Sequence, residues 1–572
     1  MASGFTAVDF VIFGLFLALS VGIGVYHAWK AKKLKQTAKA GDEGAQTAEF
    51  LMGGRKMPLL PTALSLLTTF LSGITLLGAP AEVYDRGLLF FVYYMMAALA
   101  LTFSAVFFLP TFYRLRYTSI YEYFEHRFNS KLLRQMTAAL FLVNTAFYMS
   151  VVLYAPSVAL SGVTQIPTWP FILIVGLCCT SYTTIGGLKA VVWTDALQAV
   201  FMYGGVATLI IKATIDSGGV AKVFEVSAAT GRVAMLGQID PNPAQHNSLW
   251  ISIFGAFCLY LSIYGLNQMA VQRYCSLPTF RNAKIAVAIT APAWALLGSM
   301  AIYIGMVMVA YFATHGGDPI DRKLIKTSDQ LVILFANDVL GVHGIPGLPG
   351  LFLACLFSST LSTISSGMNS MAAVTWEDFL KGPLASRISD DRAALITKAL
   401  VLIYGLISVG LAFLAGPMGG IIKACLNMMG AVAGPLVGLF CLGVFMPRAS
   451  RRGVIIALIV SASFNIWICL GSFITQPYKG YRLPIVINTT EPTTPAPYDK
   501  HYGNPDVFYL YRVSGFLYPT IGIILCVVVG LVASLLLPDP IPVRPAGNET
   551  ELSLQDRAKL KEQYVASANS RF

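Results

Sequence analysis

Runs of about 20 predominantly apolar residues recur along almost the whole chain, and each is long enough to cross the hydrocarbon core of a bilayer as a helix. Of the 572 residues, 56% are hydrophobic and only 12% are charged. So few charges cannot cover soluble domains of this size. The sequence therefore predicts an all-α multi-spanning membrane protein whose surroundings are the lipid bilayer.

About thirteen transmembrane helices are expected from these runs. Their approximate limits are 7–29, 58–84, 88–113, 133–162, 167–185, 190–212, 248–270, 283–312, 346–380, 396–414, 416–446, 453–474 and 513–537. The first run lacks a basic segment before it and a small-residue cleavage site after it, so it indicates a retained helix rather than a signal peptide.

Lys and Arg residues concentrate in alternate loops between the runs. The loop KAKKLKQTAKAGDEGAQTAEFLMGGRK holds seven basic and three acidic residues, and RLRYTSIYEYFEHRFNSK, QRYCSLPTFRNAK and MPRASRRG repeat the bias. Such loops face the cytoplasm. With an odd number of spans, the N-terminus is then extracellular and the C-terminus cytoplasmic, in the plasma membrane. The net charge of +12 is explained by orientation, so no nucleic-acid partner is expected.

Three further features bear on location and chemistry. Asn488 begins an Asn-Thr-Thr glycosylation acceptor in the polar loop 475–510, which this topology places outside the cell, whereas the acceptor at Asn548 falls in the cytoplasmic tail. The C-terminal residues Ser570 to Phe572 form a possible PDZ-domain ligand. No metal cluster and no nucleophile–base pair is visible in the sequence, so the chain is not expected to be an enzyme.

Polar residues occupy the middle of the second run, LPTALSLLTTFLSGITLLGAPAEVY. These residues are Thr68, Thr69, Ser72, Gly73 and Thr75. A Ser-Gly pair can end one half-helix and begin another, which exposes backbone carbonyls that suit an ion. A continuous helix that uses small residues for close packing explains the same composition equally well.

The ninth run contains SSTLSTISSGMNS at residues 358–370. Its hydroxyl residues share one helical face, because their spacing is i, i+3, i+4, i+7 and i+11. They are Ser359, Ser362, Thr363, Ser366 and Ser370. This face is either a small-residue packing seam or a row of neutral oxygens for a hard cation such as sodium.

Two ionisable residues lie within apolar runs. Asp195 and Gln198 face the same way in the sixth run, where an acid usually faces a partner or a transport pathway. The alternative for Asp195 is an interfacial ion pair with Lys189. Lys423, about two turns inside the eleventh run, either extends its ammonium group to the outer interface or attracts an anionic substrate.

Several long motifs in order give the chain a resemblance to the sodium/solute symporter family. They are EFLMGGRKMPLLPTALSL, TSIYEYFEHRF, YTTIGGLKAVVWTDALQ, YGLNQMAVQRY, GLPGLFLACLFSSTLSTISSGMNSMAAVTWEDF and GAVAGP. The chain is most similar to the branch that holds the sodium–iodide symporter, the sodium-coupled monocarboxylate transporters and the sodium-dependent multivitamin transporter. The resemblance implies a LeuT-like core of two inverted five-helix repeats.

The implied organisation has six parts. They are an extra helix and cytoplasmic loop (1–57), the first repeat (58–212), an extracellular loop (213–247), the second repeat (248–446), two C-terminal helices with a glycosylated extracellular loop (447–537) and a cytoplasmic tail (538–572).

The resemblance also implies functional residues. Sodium would be bound by backbone carbonyls of Thr68, Leu71 and Ser359 and by the hydroxyls of Ser362 and Thr363, with Asp195 as a nearby outer-shell charge. Ser366 and Ser370 keep a packing role. The substrate candidates are Phe70, Ser72, Thr75, Tyr148, Tyr264 and Leu426, to which Lys423 is added from its position. Ser72 and Tyr148 resemble positions that contact either a second sodium ion or the substrate in the iodide branch, so the sodium stoichiometry stays open. The chain departs from the iodide branch at Thr75, where that branch has glutamine, and from the sugar branch at Phe70, Thr75 and Tyr264.

The expected function is sodium-driven import of a small organic anion, monocarboxylate-like, by alternating access. Sodium is the co-substrate and no organic cofactor is expected. Within transport, the alternatives are a vitamin carboxylate (biotin, pantothenate or lipoate) or iodide. From another class, a sodium-binding channel or sensor remains open.

Overall fold

A computed structural model describes residues 6–37, 45–315, 317–325, 328–342, 346–384, 387–414, 421–478, 482–485 and 502–539; for residues 31–37, 45, 329, 342 and 421–427 it describes the backbone alone. Within these ranges the chain forms α-helices, short 3₁₀ and π turns, and no strand. The α-helices are α1 (Ala7–Thr37), α2 (Ala45–Met52), α3 (Leu59–Phe70), α4 (Gly73–Arg86), α5 (Leu89–Phe107), α6 (Leu109–Leu115), α7 (Glu122–Phe128), α8 (Lys131–Thr164), α9 (Thr168–Asp216), α10 (Val220–Ala229), α11 (Leu249–Gly265), α12 (Gln268–Ser276), α13 (Phe280–Thr314), α14 (Leu331–Ala336), α15 (Leu348–Val374), α16 (Lys381–Leu384), α17 (Asp390–Leu414), α18 (Ile421–Phe445), α19 (Arg451–Thr475) and α20 (Tyr518–Leu536).

The number of possible membrane crossings agrees with the expected thirteen. Among the described residues, ten helices are long and apolar enough to span a membrane, and two bent pairs, α3–α4 and α11–α12, each add one span. The 49 residues of α9 would be about 73 Å long if straight, more than twice the thickness of a hydrocarbon core. It therefore holds two crossings, the fifth and sixth of the predicted runs.

Gly187 marks the kink between these two halves of α9. Its φ of 58° and ψ of −157° are strained for any residue with a side chain. A Cβ atom there would also lie 2.6 Å from the Phe50 ring and 2.7 Å from the Phe50 carbonyl oxygen. Glycine is therefore required twice over, by the backbone turn and by the close approach of α2.

The seventh predicted span, 248–270, is present as a broken span that extends to Ser276. It is not one helix but two, α11 and α12, bent by 47° at Leu266 and Asn267. Asn267 stops one helix and begins the next, because its side-chain oxygen accepts the N–H of Met269 at 2.9 Å. Since α12 continues to Ser276, Arg273 lies inside the bundle and not in a cytoplasmic loop.

Helix α15 forms the centre of the bundle, and nearly every one of its residues is buried. It packs against α9, α8, α17, α1 and α3, while α13 packs against α3, α4 and α5. The broken pair α3–α4 thus lies between α13 and α15. Gly73 permits this, because a Cβ atom there would lie 2.6 Å from Pro156 of α8 and 2.7 Å from Thr360 of α15.

The two broken spans occupy corresponding places in the chain. The α3–α4 pair, bent by 55°, opens the segment 58–212, and the α11–α12 pair opens the segment 248–446. Interrupted helices at matching positions of two halves are typical of transporters built from inverted repeats, and the binding site of such proteins lies at the breaks. The pairing favours the predicted division into two repeats.

Candidate functional site

The second span breaks where its Ser-Gly pair predicted. Helix α3 ends at Phe70, Leu71 and Ser72 are non-helical (φ/ψ −86°/79° and −82°/168°), and α4 begins at Gly73. The break deprives the Thr68 carbonyl of its i+4 helical donor. Among the described residues, no backbone N–H from another part of the chain replaces that donor. The break therefore leaves carbonyl oxygens with bonding capacity inside the protein.

Hydroxyl groups of α15 meet the end of α3 at this break. The Ser362 hydroxyl donates to the Thr68 hydroxyl at 2.8 Å, and Thr363 Oγ1 lies 2.9 Å from the Thr69 carbonyl oxygen. Thr363 Oγ1 is also 3.0 Å from the Ser359 carbonyl oxygen. All of these residues are buried. Thr68 makes this contact through its side chain, whereas the family resemblance implied its carbonyl.

This arrangement brings neutral oxygens from two separate elements, α3 and α15, into contact. Hydroxyl and carbonyl oxygens are ligands for hard cations, and neutral ligands allow the ion to leave again. The structure brings Thr68, Ser359, Ser362 and Thr363 together and places Leu71 in the break beside them. A sodium ion held here would tie the broken span to α15.

Asp195 of α9 is buried beside this region. Its Oδ2 accepts the Ser65 hydroxyl at 2.5 Å and Arg273 Nη2 at 3.2 Å. The alternative of an interfacial pair with Lys189 is wrong, because Lys189 pairs with Glu49. Gln198, one turn further along α9, is buried with no hydrogen-bond partner for its amide among the described residues.

Arg273 is the residue that the sequence analysis missed. Its Nε donates to the Ser65 hydroxyl at 2.7 Å, its Nη1 to the Met269 carbonyl at 2.7 Å, and its Nη2 to Ser366 as well as to Asp195. The guanidinium group therefore links α3, α9, α12 and α15.

The packing role predicted for Ser366 and Ser370 is incomplete, because both side chains also form hydrogen bonds with residues of α12. Ser366 accepts from Arg273 and lies 3.1 Å from the Thr69 hydroxyl. The Ser370 hydroxyl donates to the Gln272 side chain at 2.8 Å. Four hydroxyls of this face are thus hydrogen-bonded to other elements, whereas the Ser359 hydroxyl donates to the Leu356 carbonyl of its own helix at 2.6 Å. Of the four, Ser366 belongs to the Arg273 network.

Aromatic side chains surround the other face of the break. The rings of Phe70 and Tyr264 meet edge to face at 5.0 Å, and Tyr264 meets Trp294 of α13 at 5.8 Å. Thr75 lies close to the Tyr94 hydroxyl, and the Tyr94 ring lies 6.1 Å from that of Trp294. Phe70, Thr75 and Tyr264 are therefore brought into one cluster, with Ser72 in the break itself. Tyr148 is buried and lies near Tyr264.

Two polar atoms of this aromatic cluster are buried without a hydrogen-bond partner among the described residues. They are the Tyr264 hydroxyl and Trp294 Nε1. Unpartnered buried donors are rare, because each forfeits the hydrogen bonds that it makes to water. Trp294 is the only tryptophan in its apolar run, and this is the sequence feature that could have identified it as a candidate site residue. Together the two groups offer donors to a small acceptor beside the break.

The remaining predicted residues cannot be placed in the site. Lys423 and Leu426 belong to the backbone of α18, but their side chains are outside the described residues, as is the whole of Asn488.

Comparisons with known proteins show what this chain is similar to. Residues 50–461 match the model of the "Sodium:solute symporter family". The chain is 38% identical to the sodium-dependent multivitamin transporter of Oryctolagus cuniculus over 547 residues, which covers 94% of this chain and 83% of that protein.

Two human relatives are similarly near. Identity is 36% with sodium-coupled monocarboxylate transporter 1 over 93% of this chain and 87% of the relative, and 35% with sodium-coupled monocarboxylate transporter 2 over 95% and 87%. Among solved structures, a Na⁺-coupled sialic acid symporter superposes with a TM-score of 0.75 at 21% identity, over 93% of this chain and 99% of that one. The predicted LeuT-like fold is thereby confirmed.

Proposed function

The chain belongs to the sodium:solute symporter family, and we propose that the solute it imports with sodium is a small organic anion of the monocarboxylate type. Sodium-coupled solute import across a membrane is its activity, sodium is the co-substrate, and members of the family are transporters rather than enzymes. The chemical class of the solute is the part that we propose beyond this family activity. It rests on the named relatives and on the pair of buried donors beside the break.

The sodium ion binds between the break in the second span and α15. Five oxygens take part: the carbonyls of Thr68, Leu71 and Ser359 and the hydroxyls of Ser362 and Thr363. The observation that supports this proposal is the direct contact of Ser362 and Thr363 with the last turn of α3. A cation there favours the conformation in which α3 and α15 are held together. Asp195 contributes negative charge from nearby without being a ligand.

The substrate anion binds on the aromatic side of the same break. Tyr264 and Trp294 donate hydrogen bonds to its carboxylate, and Phe70 packs against its apolar part. Ser72, Thr75 and Tyr148 complete the predicted wall, and Lys423 and Leu426 remain candidates from α18. Because both sites share the break, sodium binding shapes the substrate site, and this sharing couples the two fluxes.

A panel of radiolabelled solutes tests the proposal directly. Uptake of lactate, nicotinate, biotin, pantothenate and iodide is measured in cells or proteoliposomes with an inward sodium gradient and without one. We expect sodium-dependent accumulation of lactate or nicotinate above the external concentration. A channel lets its solute equilibrate but cannot concentrate it, and a sensor transports none. Uptake that stops at the external concentration, or no uptake at all, would therefore exclude symport of these anions.

A vitamin carboxylate is the second candidate, because a multivitamin transporter is 38% identical. Selective accumulation of biotin or pantothenate would establish it.

The donors of the aromatic cluster give a sharper prediction. Tyr264→Phe and Trp294→Phe should each raise the KM for the anion about tenfold or more, because a hydrogen bond to a charged group contributes about 1.5–3 kcal/mol. The sodium concentration for half-maximal uptake should change little. Both are read from uptake kinetics at fixed surface expression.

Tyr260→Phe is the matched control for these two variants. Tyr260 lies one turn before Tyr264 and its ring contacts Trp294 at 5.5 Å, but its hydroxyl is not among the buried groups without a partner. Its KM should stay near that of the unaltered protein. Equal KM values in all three variants and the unaltered protein would remove the substrate from this cluster.

Orientation and location complete the proposal. The basic loops face the cytoplasm of the plasma membrane, the N-terminus is extracellular, and the C-terminal Ser570–Phe572 binds a PDZ domain. Asn488→Gln should then lower the apparent mass of the mature protein to that left by glycosidase treatment, whereas Asn548→Gln should not alter it. A shift with Asn548→Gln instead would reverse the topology.

A further inference from the structure

A cavity lies away from the two proposed sites, on the side of the bundle that carries the basic loops. Its walls are formed by Arg55, Tyr113, Arg116, Cys275, Leu277 and Pro278. Arg55 precedes α3, Arg116 follows α6, and residues 277–278 join α12 to α13. The cavity thus touches the inner ends of both broken spans.

Two guanidinium groups line this cavity and no acidic residue does. Arg55 Nη2 donates to the backbone carbonyl oxygen of Arg116 at 2.6 Å, which ties the Arg55 side chain to the end of α6. Among the described residues, neither arginine forms an ion pair with a carboxylate. The cavity therefore carries an uncompensated positive charge.

Tyr113 of α6 lies in the same wall of the cavity as the two arginines. Its hydroxyl donates to the Leu277 carbonyl at 3.0 Å, so the ring is fixed in the wall of the cavity. Both arginines and this ring therefore line one small space.

Both arginines also adopt a left-handed backbone, with φ of 55° for Arg55 and 51° for Arg116. This conformation costs a non-glycine residue about 1 kcal/mol. Arg116 caps α6 by donating its N–H to Phe112, a position where glycine or asparagine is usual. The cap explains the backbone conformation at Arg116, but it does not explain why an arginine is used.

We propose that this cavity binds a phosphate group. The planar forks of two arginines match the oxygens of a phosphate in bidentate pairs, and a dianion neutralises both charges whereas a monocarboxylate leaves one of them. Inorganic phosphate and the phosphate monoester of a lipid headgroup present the same chemistry. The bound group joins the chain before α3 to the end of α6. It therefore opposes any movement of the broken helix away from α6 during transport, whatever solute is carried.

Purified protein in a neutral detergent tests the site without any transport. We expect inorganic phosphate, or short-chain phosphatidylinositol 4-phosphate, to raise the melting temperature saturably, whereas acetate and short-chain phosphatidylcholine have no such effect. Stabilisation by inorganic phosphate identifies a soluble source, and stabilisation by the inositide alone identifies a lipid source.

Matched variants separate a specific site from general charge. Arg55→Gln with Arg116→Gln should weaken binding at least tenfold. The control is Lys56→Gln with Arg114→Gln, which removes the same amount of charge. Lys56 and Arg114 are exposed, lie one and two residues from Arg55 and Arg116, and do not line the cavity. This double variant should bind phosphate as the unaltered protein does. Equal binding by the two double variants, or acetate binding as tightly as phosphate, would overturn the proposal. Should the first double variant fail to fold, Arg116→Gln alone carries the test, because Arg116 is exposed and its loss leaves the helices intact.

Discussion

Asp195→Asn should destabilise the folded protein by about 3–5 kcal/mol, the cost of leaving one member of a buried ion pair without its partner. Arg273 Nη2 lies 3.2 Å from Asp195, and the two side chains are 1% and 0% exposed. The substitution preserves side-chain volume, so the lost charge is the main change. Melting temperature in neutral detergent ranks the variants.

The reverse substitution should cost less. Arg273→Gln leaves a carboxylate, which can take up a proton and become neutral, whereas an arginine side chain in a protein cannot lose its proton. The double variant Asp195→Asn with Arg273→Gln removes both charges and should be more stable than the sum of the two single losses predicts. The order of stability is therefore expected to be the unaltered protein, then the Arg273 variant, then the Asp195 variant.

Lys189→Gln provides the control, because it breaks a surface pair. Lys189 and Glu49 are 33% and 37% exposed, and such pairs contribute about 0–1 kcal/mol. Its melting temperature should lie close to that of the unaltered protein. Single variants at Asp195 and Arg273 that are as stable as this control would mean that the buried pair does not hold the four helices together.

Arg273 also shows the limit of what the sequence reveals. Counting basic residues between apolar runs placed it in a cytoplasmic loop, since α12 is too polar to extend the preceding apolar run. Its partner Asp195 was recognised as an unusual intramembrane acid, but a sequence cannot show which helix a charged residue faces. The network depends on tertiary packing of α12 against α9, and no local pattern encodes that packing.

Other parts of the site were accessible because their signals are local. The Ser-Gly pair predicted the break at Leu71 and Ser72, and helical spacing placed Ser359, Ser362 and Thr363 on one face. The break at Asn267 was missed because its signal, a single Asn after Gly265, is as common in loops as in interrupted helices. The unpartnered donor of Trp294 was missed because only a folded structure shows which polar atoms lack partners.

The hydroxyl face of α15 gives the second large effect. Ser362→Ala with Thr363→Ala should raise the sodium concentration for half-maximal uptake by about tenfold for each oxygen removed, if each contributes about 1.4 kcal/mol to binding of the ion. Alanine keeps the residues small, so a seam that serves only close packing would tolerate the change. Uptake is measured over a range of sodium concentrations at matched surface expression.

Ser365→Ala is the matched control on the same helix. Ser365 is equally buried, but its hydroxyl donates to the Ser362 carbonyl of its own helix at 3.0 Å instead of reaching α3. The sodium dependence of this variant should match that of the unaltered protein. An unchanged sodium requirement in a folded Ser362 and Thr363 double variant would leave α15 with packing alone, and the ion would have to bind elsewhere along the break.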